Sequence, residues 1–162
     1  MSSPNAFWQT SKPMKAFLDT GFLLALLMEL KGSRTAWQLT RQLSGPLQVA
    51  QLQCFHIENR LLRETRDSNV TENGRATAAA ALQNLRTYLD ELIFQAVDVE
   101  YDLAIDLANQ WQRHSASQPP AALLILCPAI AATVSATHFL SFDPRPRGIA
   151  KAARLKLLPE NL

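Results

Sequence analysis

Two short apolar runs that each end in an aspartate constrain this chain more than any other feature. The first lies in Lys15–Leu27, KAFLDTGFLLALL. Ala16, Phe17 and Leu18 form the run, Asp19 closes it, and Phe22, Leu23, Leu26, Leu27 and Leu30 then recur at helical spacing. The second is His138-Phe139-Leu140-Ser141-Phe142, closed by Asp143 and followed by a short helix with Ile149, Ala150 and Ala153. A strand that passes into a helix through one acidic residue has its carboxyl end at that residue. In open α/β sheets, that end is where ligand sites gather. An unpaired buried carboxylate is costly, so an aspartate there caps the helix, faces a crevice or holds a cation.

Between the two runs the same alternation continues. Gly32 marks a helix stop and Ser33 a new N-cap, with Ala36, Trp37, Leu39 and Leu43 outlining a second helix that closes at Gly45-Pro46. Leu47 to Ala50 reads as a strand, followed by a helix over roughly Leu52 to Arg66 with Leu52, Phe55, Leu61 and Leu62 as its apolar members. Asp67-Ser68-Asn69 is a turn. Thr71 opens a long helix with Leu82, Leu85, Leu89 and Leu92 at helical spacing, and Ile93 to Val99 holds a third strand. Tyr101 to Ser115 is a further helix, Gln118-Pro119-Pro120 a loop, Ala121 to Thr137 apolar throughout, and Lys156-Leu157-Leu158 a final edge strand. This rhythm predicts an α/β fold with a central parallel sheet of about four or five short strands and helices on both faces.

A length of 162 residues suits one domain with a substantial core, expected over 14–162. Residues 1–13, MSSPNAFWQTSKP, read as a tail in which Phe7 and Trp8 are the residues able to pin it, and Met14 is itself a candidate start. A net charge of +2 permits a nucleic-acid partner without arguing for one. Cys54 and Cys127 have no CxxC spacing and read as reduced thiols. No apolar run reaches the roughly 20 residues of a membrane span. The expected compartment is the cytoplasm.

Several chemistries are excluded by their motifs. The chain has no Walker loop, no GxGxxG, no HExxH and no GxSxG. A phosphatase of the haloacid-dehalogenase type needs a second aspartate two positions after Asp19, where this chain has Gly21. Asp19 and Asp143 remain. Parallel strands can bring them to one sheet edge, where two carboxylates repel and raise each other's pKa unless a cation intervenes. Mg²⁺, a hard ion that prefers carboxylate and water oxygens, is the natural occupant, and such a centre activates water against a phosphodiester. Two solvated turn aspartates are the simpler alternative.

The opening KAFLDTGFLLALL, the segment LQCFHIENRLLRE and the closing ATHFLSFDPRPRGIAKAARLKLLP together resemble the PIN-domain family, in particular the VapC-like toxins of toxin–antitoxin pairs. The resemblance runs from about Met14 to Pro159. It implies a three-layer α/β/α fold and a Mg²⁺- or Mn²⁺-dependent endoribonuclease whose metal is held by three or four acids. It also implies RNA as substrate, an antitoxin-like protein partner and a homodimer. Asp19 matches the family's first acid, Asp143 its last, and Ser141 the hydroxyl residue beside that last acid. Registering on Asn59 and Leu61 places His56 where the second acid belongs. Glu58 lies two positions on, about 200° around a helix and so on nearly the opposite side. Counting back from Asp143 puts Leu124 at the third acid and Cys127 at the histidine that usually follows it. Pro128 then suggests a late helix start. Asp102 and Asp106 are the nearest upstream acids, in the preceding helix.

Two functional readings follow. One is a metal-dependent ribonuclease using Asp19, Asp143 and Glu58. The other is an inactive PIN scaffold that binds RNA or a protein partner. A softer Zn²⁺ site of Asp19, Asp143, His56 and Cys127 is a third possibility, set against plain packing of the last two. Arg145, Arg147 and Lys151 are the candidate phosphate contacts, or the solvated face of the last helix.

Overall fold

The computed structural model describes residues 14–114 and 121–161. The proposed tail 1–13 and the loop prolines Pro119 and Pro120 lie outside the described residues. In chain order the elements are β1 (Ala16–Leu18), α1 (Thr20–Leu27), α2 (Ser33–Thr40), β2 (Leu47–Ala50), α3 (Gln51–Arg66) and α4 (Glu72–Asp90). They continue with β3 (Phe94–Val97), α5 (Tyr101–His114), α6 (Ala122–Thr133), β4 (His138–Leu140), α7 (Pro144–Ala152) and β5 (Lys156–Leu158). The five strands form one sheet in the order β3-β2-β1-β4-β5, parallel throughout.

Every residue of β1 and β2 is buried, as expected of parallel strands covered on both faces. Pleating then sorts their side chains. Ala16, Leu18, Leu47, Val49, Phe94 and Leu140 join α1, α3 and α4 in one core layer. Phe17 and Phe139, register partners on β1 and β4, stack at 6.4 Å on the other face with Ala50, Ala104, Cys127, Ile130 and Ala150. The result is the three-layer α/β/α fold expected from the rhythm of the sequence.

Strand order explains where a site must form. The chain steps outward from β1 to β2 to β3, then returns to the other side of β1 as β4. Connections leave β1 and β4 toward opposite sides, which opens a crevice beyond their carboxyl ends. Asp19 and Asp143 stand there.

Several local expectations change. α1 stops at Leu27, so Leu30 lies beyond it and is exposed. Ser33 does not cap α2: its hydroxyl accepts from the Leu30 N–H at 2.8 Å and donates to the Met28 carbonyl at 2.7 Å, tying the preceding turn. The cap position is Gly32, at φ 99°, where a left-handed backbone and the nearby Phe142 ring both favour glycine. On α3, Leu52 and Phe55 face solvent while Gln53, Ile57 and Leu61 are buried. Leu103 on α5 is likewise exposed, and Leu92 falls beyond α4 with φ 58°. Finally, α6 begins at Ala122 with Pro128 inside it. Pro128 has no N–H for the Leu124 carbonyl, a cost offset by burying Ile125, Cys127, Ala129, Ile130 and Ala131.

Candidate functional site

Asp19 follows β1 directly and caps α1. Its Oδ1 accepts from the Phe22 N–H at 2.6 Å and its Oδ2 from the Ser141 hydroxyl. It is 5% exposed. Burial pushes its carboxyl pKa above the ordinary range; the bonds from Ser141 and Phe22 oppose that, and the charge of Asp143 adds to it. Asp143 caps α7 in the same way, accepting from the Arg145 N–H at 2.9 Å. The Arg145 guanidinium also grips it, Nε to Oδ1 at 3.0 Å and Nη2 to Oδ2 at 2.6 Å. That grip holds the Asp143 pKa below the ordinary range. Ser141, fully buried, couples the two acids by donating to Asp19 while accepting the Asp143 N–H at 3.0 Å.

Asp19 and Asp143 line a pocket of about 240 Å³ whose walls also include Thr20, Arg60, Leu124 and Cys127. The structure therefore brings Asp19, Asp143, Ser141, Leu124 and Cys127 together. The α3 residues are placed otherwise. His56 and Asn59 are exposed and do not line the pocket. Glu58 turns to α4, where it accepts from Arg86 Nη2 at 2.8 Å. From Gln53 to Glu58 the helix turns about 140°, so a side chain opposite the pocket is what the geometry requires.

Two residues unmarked in the sequence occupy the inward stripe of α3. Gln53 is 1% exposed. Its Oε1 accepts the Ala50 N–H at 2.8 Å, and its Nε2 donates to the Leu18 carbonyl at 2.9 Å and to Cys127 Sγ at 3.3 Å. Its place three residues after Ala50, where a Gln can reach back to a helix-start N–H, was the available signal. Arg60, seven positions on and nearly in line with Gln53, reaches the pocket and pairs with Glu64 at 2.9 Å.

The basic residues divide. Arg145 is not in the pocket wall but pairs with Asp143, which is, and its side chain is largely exposed. Arg147 is a correction: it is 7% exposed and donates to the carbonyls of Ser141 at 2.9 Å and Pro159 at 2.7 Å, so it fastens α7 to the sheet. Lys151 is exposed in the last turn of α7, about 12 Å along the helix from Asp143.

Does this donor set fit a divalent ion? Mg²⁺ is commonly held by one or two carboxylates with waters and substrate phosphates, so the number of acids alone does not decide. Availability does. Arg145 occupies both oxygens of Asp143 with its N–H and guanidinium, while each oxygen of Asp19 accepts one protein donor and keeps one lone-pair site. Leu124 contributes no side-chain oxygen. Cys127 is engaged by Thr20 and Gln53, and His56 is exposed and outside the pocket, so the four residues of a softer site are not assembled. Among the described residues no three His, Cys, Asp or Glu side chains converge. As arranged, the residues do not fit Mg²⁺, Mn²⁺ or Zn²⁺.

A five-stranded parallel sheet between helical layers, with acids at the carboxyl ends of β1 and β4, is the PIN-like three-layer fold. A solved structure of that class, Mycobacterium tuberculosis VapC20, a sarcin–ricin-loop-cleaving toxin, superposes with a TM-score of 0.61. The match covers 83% of this chain and 95% of VapC20 at 16% sequence identity, a likeness of fold. No protein-family profile and no curated protein matches the chain. Among the described residues no helix is long and apolar enough to cross a membrane.

Proposed function

We propose that this chain is a VapC-like PIN scaffold that binds RNA at the carboxyl edge of its sheet without a divalent-metal centre and without cutting the strand. One observation carries the reading: Arg145 forks both oxygens of Asp143, and no third His, Cys, Asp or Glu joins the two aspartates among the described residues. RNA is favoured over other ligands by the fold likeness to an RNA-cleaving toxin and by Arg60 in the pocket wall and Arg145 on the wall residue Asp143, two guanidiniums suited to phosphate. By the same analogy, a second copy of the chain and an antitoxin-like protein are its protein partners and the cytoplasm is its compartment. Exposed Leu52, Phe55 and Leu103 supply apolar surface for such contacts.

The competing reading is a surviving Mg²⁺ or Mn²⁺ ribonuclease, favoured by the shared pocket of Asp19 and Asp143. Calorimetric titration of Mn²⁺ into wild type and Asp19→Asn near neutral pH, with RNA incubation alongside, separates the two. The scaffold reading expects no metal binding up to millimolar concentration and intact RNA that is nevertheless retained by the protein. Binding that vanishes in Asp19→Asn, with cleavage in wild type, sinks it.

A further inference from the structure

The mismatch between this pocket and a divalent ion has a local cause two residues beyond Asp143. We infer that Arg145 is the pocket's resident counter-ion: its guanidinium holds the Asp143 oxygens that an entering cation would need. The inference rests on the metal-free reading above and assigns that property to one side chain.

The backbone presents Arg145 for this role. Pro144 and Pro146 flank it in the first turn of α7, where proline's fixed φ suits the helix. The Arg145 N–H and guanidinium then converge on one carboxylate. A guanidinium stays charged at every accessible pH and matches a carboxylate in fork geometry. Being tethered, it competes at high effective concentration, whereas a free ion must arrive from solution and lose hydration. The remaining charges complete the balance. Arg147, buried with carbonyl partners, is within electrostatic reach of Asp19, and Arg60 lines the pocket from α3. Two carboxylates thus meet three guanidiniums, one of them shared with Glu64.

Arg145 is exposed, so its grip is a competitor of modest strength, and removing it should tighten Mn²⁺ binding about two- to fivefold rather than create a strong site outright. The test is Mn²⁺ calorimetry, with paramagnetic broadening of the Asp19 and Asp143 amide resonances for weak sites. It compares wild type with Arg145→Met, and Leu124→Asp with Leu124→Asp/Arg145→Met, where the added carboxylate raises the baseline affinity. Arg145→Lys, which keeps the charge but loses the fork, should fall between wild type and Arg145→Met. A gain of about two- to fivefold on removing the guanidinium in either background supports the inference. Equal affinities with and without Arg145 in both backgrounds overturn it. Tight Mn²⁺ binding by wild type that is lost in Asp19→Asn instead overturns the metal-free reading itself. Arg145 lies on the surface, so its variants fold whether or not Leu124→Asp does.

Discussion

The side-chain amide of Gln53 stands inside the sheet, and replacing it tests how the crevice is held open. With Ala16 opposite Leu47 and Phe17 opposite Gln48, Leu18 falls opposite Val49. A continuous parallel ladder would next join the Ala50 N–H directly to the Leu18 carbonyl. Instead Gln53 accepts from the first at 2.8 Å and donates to the second at 2.9 Å. The amide spaces β1 from β2 at the point where Asp19 leaves the sheet. Gln53→Leu keeps the volume and removes both bonds, leaving two buried backbone groups unpaired at about 1–3 kcal/mol each, or about 2–6 kcal/mol together. Against a domain stability of about 5–15 kcal/mol this is a large loss, readable as a lower urea midpoint at constant slope. Gln53→Glu is the sharper variant. It keeps an acceptor for Ala50 but has a donor for Leu18 only when protonated, so burial raises its folded pKa. Stability is then present at low pH and lost as pH rises through that folded value. If Gln53→Leu costs less than about 1 kcal/mol, the strands have closed into the direct ladder bond and the spacer argument fails.

Other substitutions test the two aspartates and the thiols. Because burial raises the Asp19 pKa, its contribution to stability is present below the unfolded carboxylate range and lost as pH rises through the folded value. Asp19→Asn should therefore gain on wild type as pH goes from about 3 to about 7, and thermal melts showing the reverse trend would contradict this. Asp143 has the opposite sign. Arg145 lowers its folded pKa, so its contribution is present above the unfolded range and lost as pH falls through the folded value. Asn caps a helix as well as Asp, so Asp143→Asn should show a flatter acid limb with an intact α7 by circular dichroism. Burial pushes Cys54 up to about 11 and Cys127 up to about 12. Both should resist a disulfide reagent in the native protein and react in denaturant, and native labelling of Cys127 within minutes would contradict its placement. Glu58→Ala breaks only a partly exposed pair with Arg86 and should cost less than about 1 kcal/mol without changing RNA retention.

What the sequence disclosed and what it hid divide along one physical line. A strand, an aspartate and an amphipathic helix are local patterns, and α1 and α7 start at Asp19 and Asp143 as that pattern requires. Side-chain facing is decided by contacts distant in sequence. Gln53 reads as a surface polar residue until β1 supplies the Leu18 carbonyl and α6 the Cys127 sulfur. Arg60 is exposed and reads as solvated helix until α1, α6 and α7 place Asp19, Leu124 and Asp143 across the pocket it lines. Arg147 resembles a phosphate contact until the strand-end carbonyls of Ser141 and Pro159 enclose it. Leu52 and Phe55 fail the other way, because apolar residues are often exposed and a helical apolar spacing does not specify which face is inside.

The two aspartates show why matched acids are weak evidence of a metal centre in this fold. A strand that turns straight into a helix leaves N–H groups unpaired at the turn, and an aspartate there satisfies them. Asp19 and Asp143 both do so, which accounts for an acid at each position without any metal. Capping uses one oxygen of each carboxylate, so a capping aspartate can still bind a cation through the other. In this chain those other oxygens accept from Ser141 and Arg145. Whether the pocket accepts a cation therefore turns on two donors rather than on the acids themselves. Of these, Ser141 can rotate its hydroxyl away from an arriving ion, whereas the guanidinium of Arg145 cannot give up its charge. That places the decisive difference at Arg145, outside the set of residues that a count of acids would inspect.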